Sequence, residues 1–299
     1  MTDITFGPPY QEWHYSKSSK TYDISGGSRK KLTLSTTGGP EATSIAIAPE
    51  ASALVIVDMQ NFFLDPKCMD HPHGLKAVEP TIRLIEKCRK VEIQVIPSFK
   101  SIKHSTKLIL EVIWLNWGLT DEDMKTLPAG VQRGFMGDTL LSPTSSIKSY
   151  TGLGSDLGDG KGRCLFAGTW NADIYPALKA HAKLNDLYCT KNRMSGLWTP
   201  EQLLWKTLKA EKKTTLLFTG VNTDQCVLGT LVDGYNAGWN CVLVDDCCGT
   251  PTVNGKEVSL YNIAVGNFQD SMWYYKLIVI VLIWIRDQQS GHARQQVVT

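Results

Sequence analysis

The stretch TTLLFTGVNTDQCVLGTLVDGYNAGWNCVLVDD, residues 214–246, decides the fold of this chain. Its apolar start predicts a buried strand, TDQCVLGTLVDGYNAG predicts a helix, and NCVLVDD predicts a second strand. Two strands joined through a helix lie parallel in one sheet, and the connection is right-handed. The stretch therefore predicts a β-α-β unit, with Cys226 where the first strand leads into the helix.

The same alternation extends upstream. SALVIVD, residues 52–58, contains the apolar run of a strand that is covered on both faces. LKAVEPTIRLIEKCRK then has helical spacing, EIQVI is a further strand, and DLYCTKN and TPEQLLWKTLKA add another strand and helix. Such repeats predict an α/β fold of three layers, in which helices cover both faces of a central parallel sheet.

Three segments are expected along the chain. Residues 1–50 form an N-terminal extension, in which KLTLS and TSIAIA on either side of TTGGPEA predict a short β-hairpin. Residues 51–270 form the main domain, and residues 271–299 an atypical apolar segment with a polar tail. A membrane-spanning helix needs about 20 apolar residues. Because the run WYYKLIVIVLIWI has only 13 and contains a lysine, we interpret it as a buried strand or helix.

Composition excludes several classes of partner. With 299 residues, 42% of them apolar, the chain can form one large α/β domain or two small ones. The net charge of +2 is spread over the chain, so no basic face indicates nucleic acid, and a small molecule is the expected partner. The N-terminus lacks the features of a secretory signal. We therefore expect a cytoplasmic protein without membrane contact.

Cysteines and histidines do not have the spacing of metal ligands. The eight cysteines include no CxxC pair, so in a reducing compartment they are expected to be free thiols. Only His71 and His73 lie close together among the histidines, and DHPHG predicts a polar loop rather than half of a zinc site. No metal and no other cofactor is expected.

Three polar residues stand at the carboxyl ends of predicted strands. Asp58 ends ALVIV, Lys191 follows LYCT, and Cys226 lies just past TLLFTG. Ligands of such sheets bind beyond the carboxyl ends of the strands, so an acid, a base and a thiol are expected at one edge. Each has a simpler interpretation when taken alone: Cys226 as a packed core thiol, Asp58 as a loop cap and Lys191 as a solvated lysine. Their common position favours catalysis.

These side chains have the chemistry of covalent catalysis. The attacking species of a cysteine is the thiolate, which the N-terminus of the following helix and the Lys191 ammonium would both favour. Asp58 would take the thiol proton and later donate it to a leaving amine. Backbone N–H groups of the tight turn GVNTDQC would bind a developing oxyanion.

Three stretches resemble, in order, the signature regions of the isochorismatase-like cysteine hydrolases: ALVIVDMQNFF, KNRMSGLW and GVNTDQCVLGTLVDGYNAGWNCVLVDDCCGT. The resemblance extends over about residues 52–265 and implies the catalytic triad Asp58, Lys191 and Cys226. It also implies a non-proline cis peptide between Val221 and Asn222. The oxyanion hole would then consist of the Asn222 and Cys226 N–H groups.

Within that family, the motifs are most similar to those of ureidoacrylate and related carbamoyl amidohydrolases. The resemblance implies hydrolysis of a C–N bond in a small amide, ureido or carbamoyl compound through a thioester on Cys226. Nicotinamidases of the family have a metal site with Asp and His after the second strand, whereas the corresponding VIWLNWGLTDED has no His. The resemblance therefore implies an enzyme without a metal, and it also implies a homo-oligomer, either a dimer or a tetramer.

Seven residues near the motifs are candidates for the substrate pocket. The Ser195 hydroxyl would bond a carbonyl or carboxylate, and the tryptophans would form an apolar wall. Core packing is the alternative interpretation of each tryptophan. The candidates are Gln60, Phe63, Trp114, Asn116, Trp117, Ser195 and Trp198.

Two departures from the family pattern leave other functions open. Family members usually lack the segment Pro97–Glu111, which separates two copies of a strand end, QVI and EVIW. Beyond about residue 265 the family pattern stops. One alternative is an isochorismatase that cleaves a vinyl ether with Asp58 and without a thiol nucleophile. The other is a catalytically silent member that binds a metabolite or serves as a scaffold.

Overall fold

The computed structural model of the protein describes residues 3–9, 11–36, 43–90, 110–136, 152–264 and 280–282. The strands in this part of the chain are β1 (Ile4–Phe6), β2 (Trp13–Ser16), β3 (Thr21–Asp23), β4 (Leu32–Ser35), β5 (Ser44–Ile47), β6 (Ser52–Val57), β7 (Glu111–Trp117), β8 (Leu187–Lys191), β9 (Thr215–Val221), β10 (Asn240–Gly249) and β11 (Ile280–Leu282). The helices are α1 (Asn61–Leu64), α2 (Pro72–Lys90), α3 (Asp121–Thr126), α4 (Ala129–Gly134), α5 (Pro176–Lys179), α6 (Leu203–Ala210), α7 (Leu228–Asn236) and α8 (Gly255–Ala264). A 3₁₀ turn, Pro49–Ala51, precedes β6, and a π-helical turn, Thr223–Val227, precedes α7.

The central sheet has six parallel strands in the order β11-β10-β9-β6-β7-β8. Every residue of β6 and of β9 is buried, as the apolar runs in these strands predict. The chain order reverses between β6 and β9, which are paired directly. In sheets of this kind, a ligand crevice opens at such a point, beyond the carboxyl ends of the strands.

Helices cover both faces of this sheet. The connections β6 to β7 and β9 to β10 run in opposite directions across the sheet, so right-handed crossovers put α2 and α7 on opposite faces. Helix α2 packs on β7, β9 and β10 and buries one side, including Leu84, Ile85 and Cys88. Helix α7 places Gly234 against the Cys241 side chain of β10. The predicted three-layer α/β/α architecture is confirmed.

The N-terminal residues form a second sheet of five strands, in the order β1-β2-β3-β5-β4. The predicted hairpin is confirmed, since β4 pairs with β5 in antiparallel register. Strands β1 to β3 are additional to the prediction, because they are short and none of their side chains is fully buried. The Trp13 indole N–H donates to Asn240 Oδ1 at 2.9 Å, which ties this sheet to the start of β10.

Two expectations fall largely outside the described residues. The predicted strand EIQVI and the segment from Pro97 lie there, and only Leu110 and Glu111 at its end are described. β7 begins at Glu111, so the second copy of the strand end, EVIW, enters the sheet. Of residues 271–299 only β11 is described, and it extends the sheet beside β10. No helix within the described ranges is long and apolar enough to cross a membrane.

Candidate active site

The three residues predicted at strand ends lie at one edge of the sheet. Asp58 follows β6 directly, Lys191 is the last residue of β8, and Cys226 lies in the π-helical turn after β9. Because parallel strands end at the same edge, the side chains converge beside the point where the strand order reverses.

Lys191 connects the other two side chains. Its Nζ is 2.9 Å from Asp58 Oδ2 and donates to Cys226 Sγ at 3.4 Å. The side chains of Lys191 and Asp58 are both 0% exposed, and Cys226 is buried beside them. The edge of the sheet therefore holds a carboxylate, an ammonium and a thiol that are shielded from water.

Burial determines the protonation of this cluster. It raises the pKa of the Cys226 thiol to about 12, an effect that Lys191 opposes and Asp58 reinforces. Burial also raises the pKa of the Asp58 carboxyl, again with Lys191 acting in the opposite direction. At neutral pH Cys226 is consequently a thiol at rest, and its reaction as a nucleophile requires a proton acceptor.

The end of β7 holds Asp58 in place. The Asp58 N–H donates to the Leu115 carbonyl at 2.9 Å, and Oδ1 accepts from the Trp117 N–H at 3.2 Å. The Trp117 N–H also donates to Gln60 Oε1 at 3.0 Å, while Gln60 Nε2 donates to the Trp117 carbonyl at 2.8 Å. Asp58 has a φ of 52°, a conformation that few residues other than glycine adopt. Its carboxylate is thus fixed through both the backbone and the side chain.

Lys191 uses all of its donors within the site. Besides Asp58 and Cys226, its Nζ donates to the Arg193 carbonyl at 3.1 Å, which accounts for the three N–H bonds of an ammonium group. The Trp117 ring centroid lies 4.0 Å from Nζ, so the face of the ring also stabilises the charge. The ammonium is held without access to solvent.

The turn that carries Cys226 begins at a cis peptide bond between Val221 and Asn222. The first π-type hydrogen bond of the turn runs from the Val227 N–H to the Asn222 carbonyl, at 3.2 Å. The N–H groups at the start of a helix have no carbonyl acceptor within the helix, and the Cys226 N–H, one residue before Val227, is one of them. The turn therefore offers a backbone donor beside the thiol.

Glycine at position 220 allows this turn to form. Gly220 has a φ of 117°, and a Cβ added there would overlap the Val57 carbonyl oxygen. Only glycine combines this backbone conformation with so close an approach of β9 to β6. The position of Cys226 relative to Asp58 depends on this contact.

A family model described as Isochorismatase domain matches residues 142–271, which include Lys191 and Cys226. Over these residues the chain is similar to the isochorismatase-like hydrolases. Two relatives named ureidoacrylate amidohydrolase RutB resemble it over most of its length. The protein of Acinetobacter baylyi is 25% identical over 230 residues, which cover 75% of this chain and 81% of the relative. That of Serratia proteamaculans is 26% identical over 240 residues, which cover 78% and 83%.

A solved structure shares the fold of this protein. It is an isochorismatase family protein from Desulfovibrio vulgaris, with a TM-score of 0.50 and 20% sequence identity. The match covers 70% of this chain and 87% of the other. The shared fold, the family model and the two relatives all support the family that the three sequence motifs suggest.

Two of the predicted pocket residues adjoin the candidate triad. Trp117 lies over Lys191, and Gln60 is bonded to the same segment of β7. The buried Trp117 indole N–H has no hydrogen-bond partner among the described residues. Ser195 is also buried, and its Oγ accepts a hydrogen bond from the Leu197 N–H at 3.0 Å.

Trp114 and Asn116 do not lie beside the triad. Side chains alternate between the faces of a strand, so these two lie on the face of β7 opposite Trp117. The Trp114 indole is fully buried and donates to Asp186 Oδ2 at 2.9 Å. For Trp114 these contacts fit core packing, the alternative interpretation, better than a place in the predicted aromatic wall.

The contacts described for the two other candidates, Phe63 and Trp198, are with residues outside the triad. Phe63, in α1, is buried edge-on against Phe62, with their ring centroids 5.0 Å apart. Trp198 is 46% exposed, and the Arg193 guanidinium lies 5.0 Å from its ring centroid. Trp198 is thus an exposed side chain close to the loop that follows Lys191.

One residue of the site was missed in the sequence. His71, expected in a polar loop, is fully buried, and its Nε2 is 2.6 Å from Asn222 Oδ1. The signal in the sequence was the proline after it, because Pro72 is the first residue of α2 and His71 stands at the cap position. In the described part of the chain no group of three or more His, Cys, Asp or Glu side chains could hold a metal ion.

Proposed function

We propose that this protein hydrolyses a C–N bond of a small amide, ureido or carbamoyl compound through a thioester on Cys226, without a metal. The buried contact of Lys191 with both Asp58 and Cys226 carries the proposal. Nucleophile and proton acceptor in one water-excluded cluster are what cysteine acyl transfer requires. The names of the ureidoacrylate amidohydrolase relatives support ureidoacrylate as the first substrate to test.

The first half of the reaction forms the thioester. Cys226 Sγ attacks the substrate carbonyl carbon while its proton moves to the Asp58 carboxylate, with which the Cys226 side chain is hydrogen-bonded. The carbonyl oxygen becomes an oxyanion, for which the Asn222 and Cys226 backbone N–H groups are the proposed donors. Asp58 then returns the proton to the substrate nitrogen, the C–N bond breaks and the amine leaves.

The second half restores the enzyme. Water attacks the thioester carbonyl and gives a proton to Asp58, the C–S bond breaks, and Asp58 returns the proton to the Cys226 sulfur. The product is an acid, or a carbamate when the substrate is a ureido compound. Throughout, the Lys191 ammonium stabilises negative charge on the sulfur and the carboxylate. The substrate pocket is proposed to include Gln60, Trp117 and Ser195.

Replacement of Cys226 tests the covalent step. Cys226→Ala should lower the rate of ureidoacrylate hydrolysis by about 10³-fold or more, because the Cys226 sulfur is the attacking atom of the proposed reaction. Cys88→Ala is the matched control, since Cys88 is a buried thiol whose pKa burial also raises to about 12 and it lies in α2, outside the site. Intact-protein mass spectrometry during turnover should find an acyl adduct on wild type and on Cys88→Ala only.

Two results would contradict the proposal. Undiminished turnover by Cys226→Ala, together with loss of turnover in Asp58→Asn and activity on isochorismate, would identify vinyl-ether hydrolysis instead. A folded wild-type protein that turns over neither ureidoacrylate, a panel of small amides nor isochorismate would identify a catalytically silent member of the family.

A further inference from the structure

His71 makes two hydrogen bonds that define which ring nitrogen carries the proton. Its Nδ1 is 2.7 Å from the Gly74 N, and because a backbone N–H can only donate, Nδ1 is the acceptor. In the neutral ring the proton then resides on Nε2, which is 2.6 Å from Asn222 Oδ1 and donates to it. His71 thus caps α2 with one nitrogen and holds Asn222 with the other.

Asn222 connects this histidine to the turn of the nucleophile. Its carbonyl accepts from the N–H groups of Gln225 at 3.1 Å and Val227 at 3.2 Å, on either side of Cys226. Its Nδ2 donates to Gln225 Oε1 at 3.3 Å. The side chain therefore anchors Asn222 to α2, while the main chain anchors it to the turn.

The His71 ring has little freedom to move. A Cβ added to Gly74 would lie 2.7 Å from His71 Nδ1 and 2.7 Å from Leu64 Cδ2, so the ring is enclosed between the first turn of α2 and the end of α1. The ring is also 0% exposed. A side chain held this tightly fixes the group to which it donates.

We propose that His71 is a positioning residue, which holds Asn222 through Nε2 and so fixes the oxyanion-binding turn that carries Cys226. This inference rests on the proposed function, in which the Asn222 N–H binds the oxyanion. Capping alone does not account for a histidine here. Asparagine would cap α2 equally well through a side-chain oxygen in the place of Nδ1, but its side chain is too short to reach Asn222 Oδ1.

Two substitutions separate the roles of the ring nitrogens. His71→Asn keeps an acceptor near the position of Nδ1 and loses the donor at Nε2, whereas His71→Gln keeps a donor near Nε2 and loses the cap. With ureidoacrylate as substrate, His71→Asn should keep the thermal stability of the wild type but lower kcat about 10- to 100-fold, with KM within about twofold. His71→Gln should melt at a lower temperature and keep kcat within about fivefold of wild type.

Thr81→Val provides the control for a purely structural loss. Its buried hydroxyl donates to the Ala77 carbonyl of its own helix at 2.7 Å and also interacts with the Cys247 thiol of β10, so its contacts lie away from Asn222. This variant should lose stability without a change in kcat. If His71→Asn keeps the wild-type kcat, or if His71→Gln loses as much kcat as His71→Asn, the role is capping alone and the proposal fails.

The tautomer can be tested without turnover. In the NMR spectrum of ¹⁵N-histidine-labelled wild type, the His71 signals are those that are missing from the spectrum of His71→Gln. They should report a neutral ring with the proton on Nε2. A proton on Nδ1 would overturn the proposal. If the wild type hydrolyses neither ureidoacrylate nor any compound of the small-amide panel while this signal is as expected, the proposed function fails and the hydrogen bond to Asn222 stands.

Discussion

Lys191 is the residue on which the buried cluster depends. Removal of an ammonium and a carboxylate from water costs several kcal/mol per ion, and only close pairing with further hydrogen bonds offsets it. Lys191 meets this condition with Asp58, Cys226, the Arg193 carbonyl and the Trp117 ring. A positive charge at the centre of the cluster stabilises the buried Asp58 carboxylate beside the Cys226 thiol.

Lys191→Met should therefore reduce both stability and activity. The Asp58 carboxylate would remain buried without a counter-charge, and the free energy of unfolding at pH 7 should fall by about 3–5 kcal/mol. Urea unfolding measures this loss. In the double variant Asp58→Asn/Lys191→Met both charges are gone, so part of the stability should return while hydrolysis stays absent. If the double variant is less stable than Lys191→Met, the ion pair is not the cause.

The decisive element is the junction between β9 and α7. The pattern TDQCVLGTLVDGYNAG predicts one helix from Thr223, whereas the structure has a π-helical turn over Thr223–Val227 and an α-helix only from Leu228. Helical periodicity indicates that a helix follows the strand, but it does not distinguish an i→i−5 turn from an α turn over five residues. That turn sets where the Cys226 side chain and N–H lie.

Gly220→Ala tests how tightly this junction is packed. A methyl group at φ 117° would overlap the Val57 carbonyl oxygen, so the free energy of unfolding should fall by about 3 kcal/mol or more. Gly130→Ala is the matched control, since Gly130 lies in α4 with nothing within 4 Å of an added Cβ. That variant should be neutral or more stable by up to about 1 kcal/mol in the same urea titration. Equal effects of the two substitutions would contradict the packing argument.

At the scale of the whole molecule, the core is rich in thiols that are held protonated. Seven of the eight cysteines are buried and free, and burial raises the pKa of each of these seven thiols. In the unfolded chain they titrate near the ordinary value of 9.0. Above that pH the folded state binds more protons than the unfolded chain. The contribution of these thiols to the free energy of unfolding is therefore fully present below about pH 9 and is lost as the pH rises further.

The free energy of unfolding should consequently fall as the pH rises above about 9, because each thiol that stays protonated in the folded state adds to the decline. Urea unfolding under reducing conditions at pH 8, 9 and 10 measures this slope. The double variant Cys88→Ala/Cys241→Ala removes two of the buried thiols and should show a shallower decline. An unchanged slope in that variant would assign the alkaline loss to other groups.

Sequence alone predicted the features that depend on neighbouring residues. The buried strands β6 and β9 follow from their apolar runs, and the parallel sheet follows from the alternation of strands and helices. Since all parallel strands end at one edge, the meeting of Asp58, Lys191 and Cys226 was also predictable. Strands β1 to β3 were not, because they are short and only partly buried.

By itself, then, the sequence determined the layers, the sheet and the edge at which the triad lies, because these follow from local periodicity and from the rules of strand connection. Only the tertiary structure decided which side chains surround the triad. Trp117 lies over Lys191, whereas Trp114 donates to Asp186, because the two side chains are on opposite faces of β7 and only one face meets the site. His71 bonds Asn222 across 151 positions of the chain, and no local pattern encodes a contact over that separation.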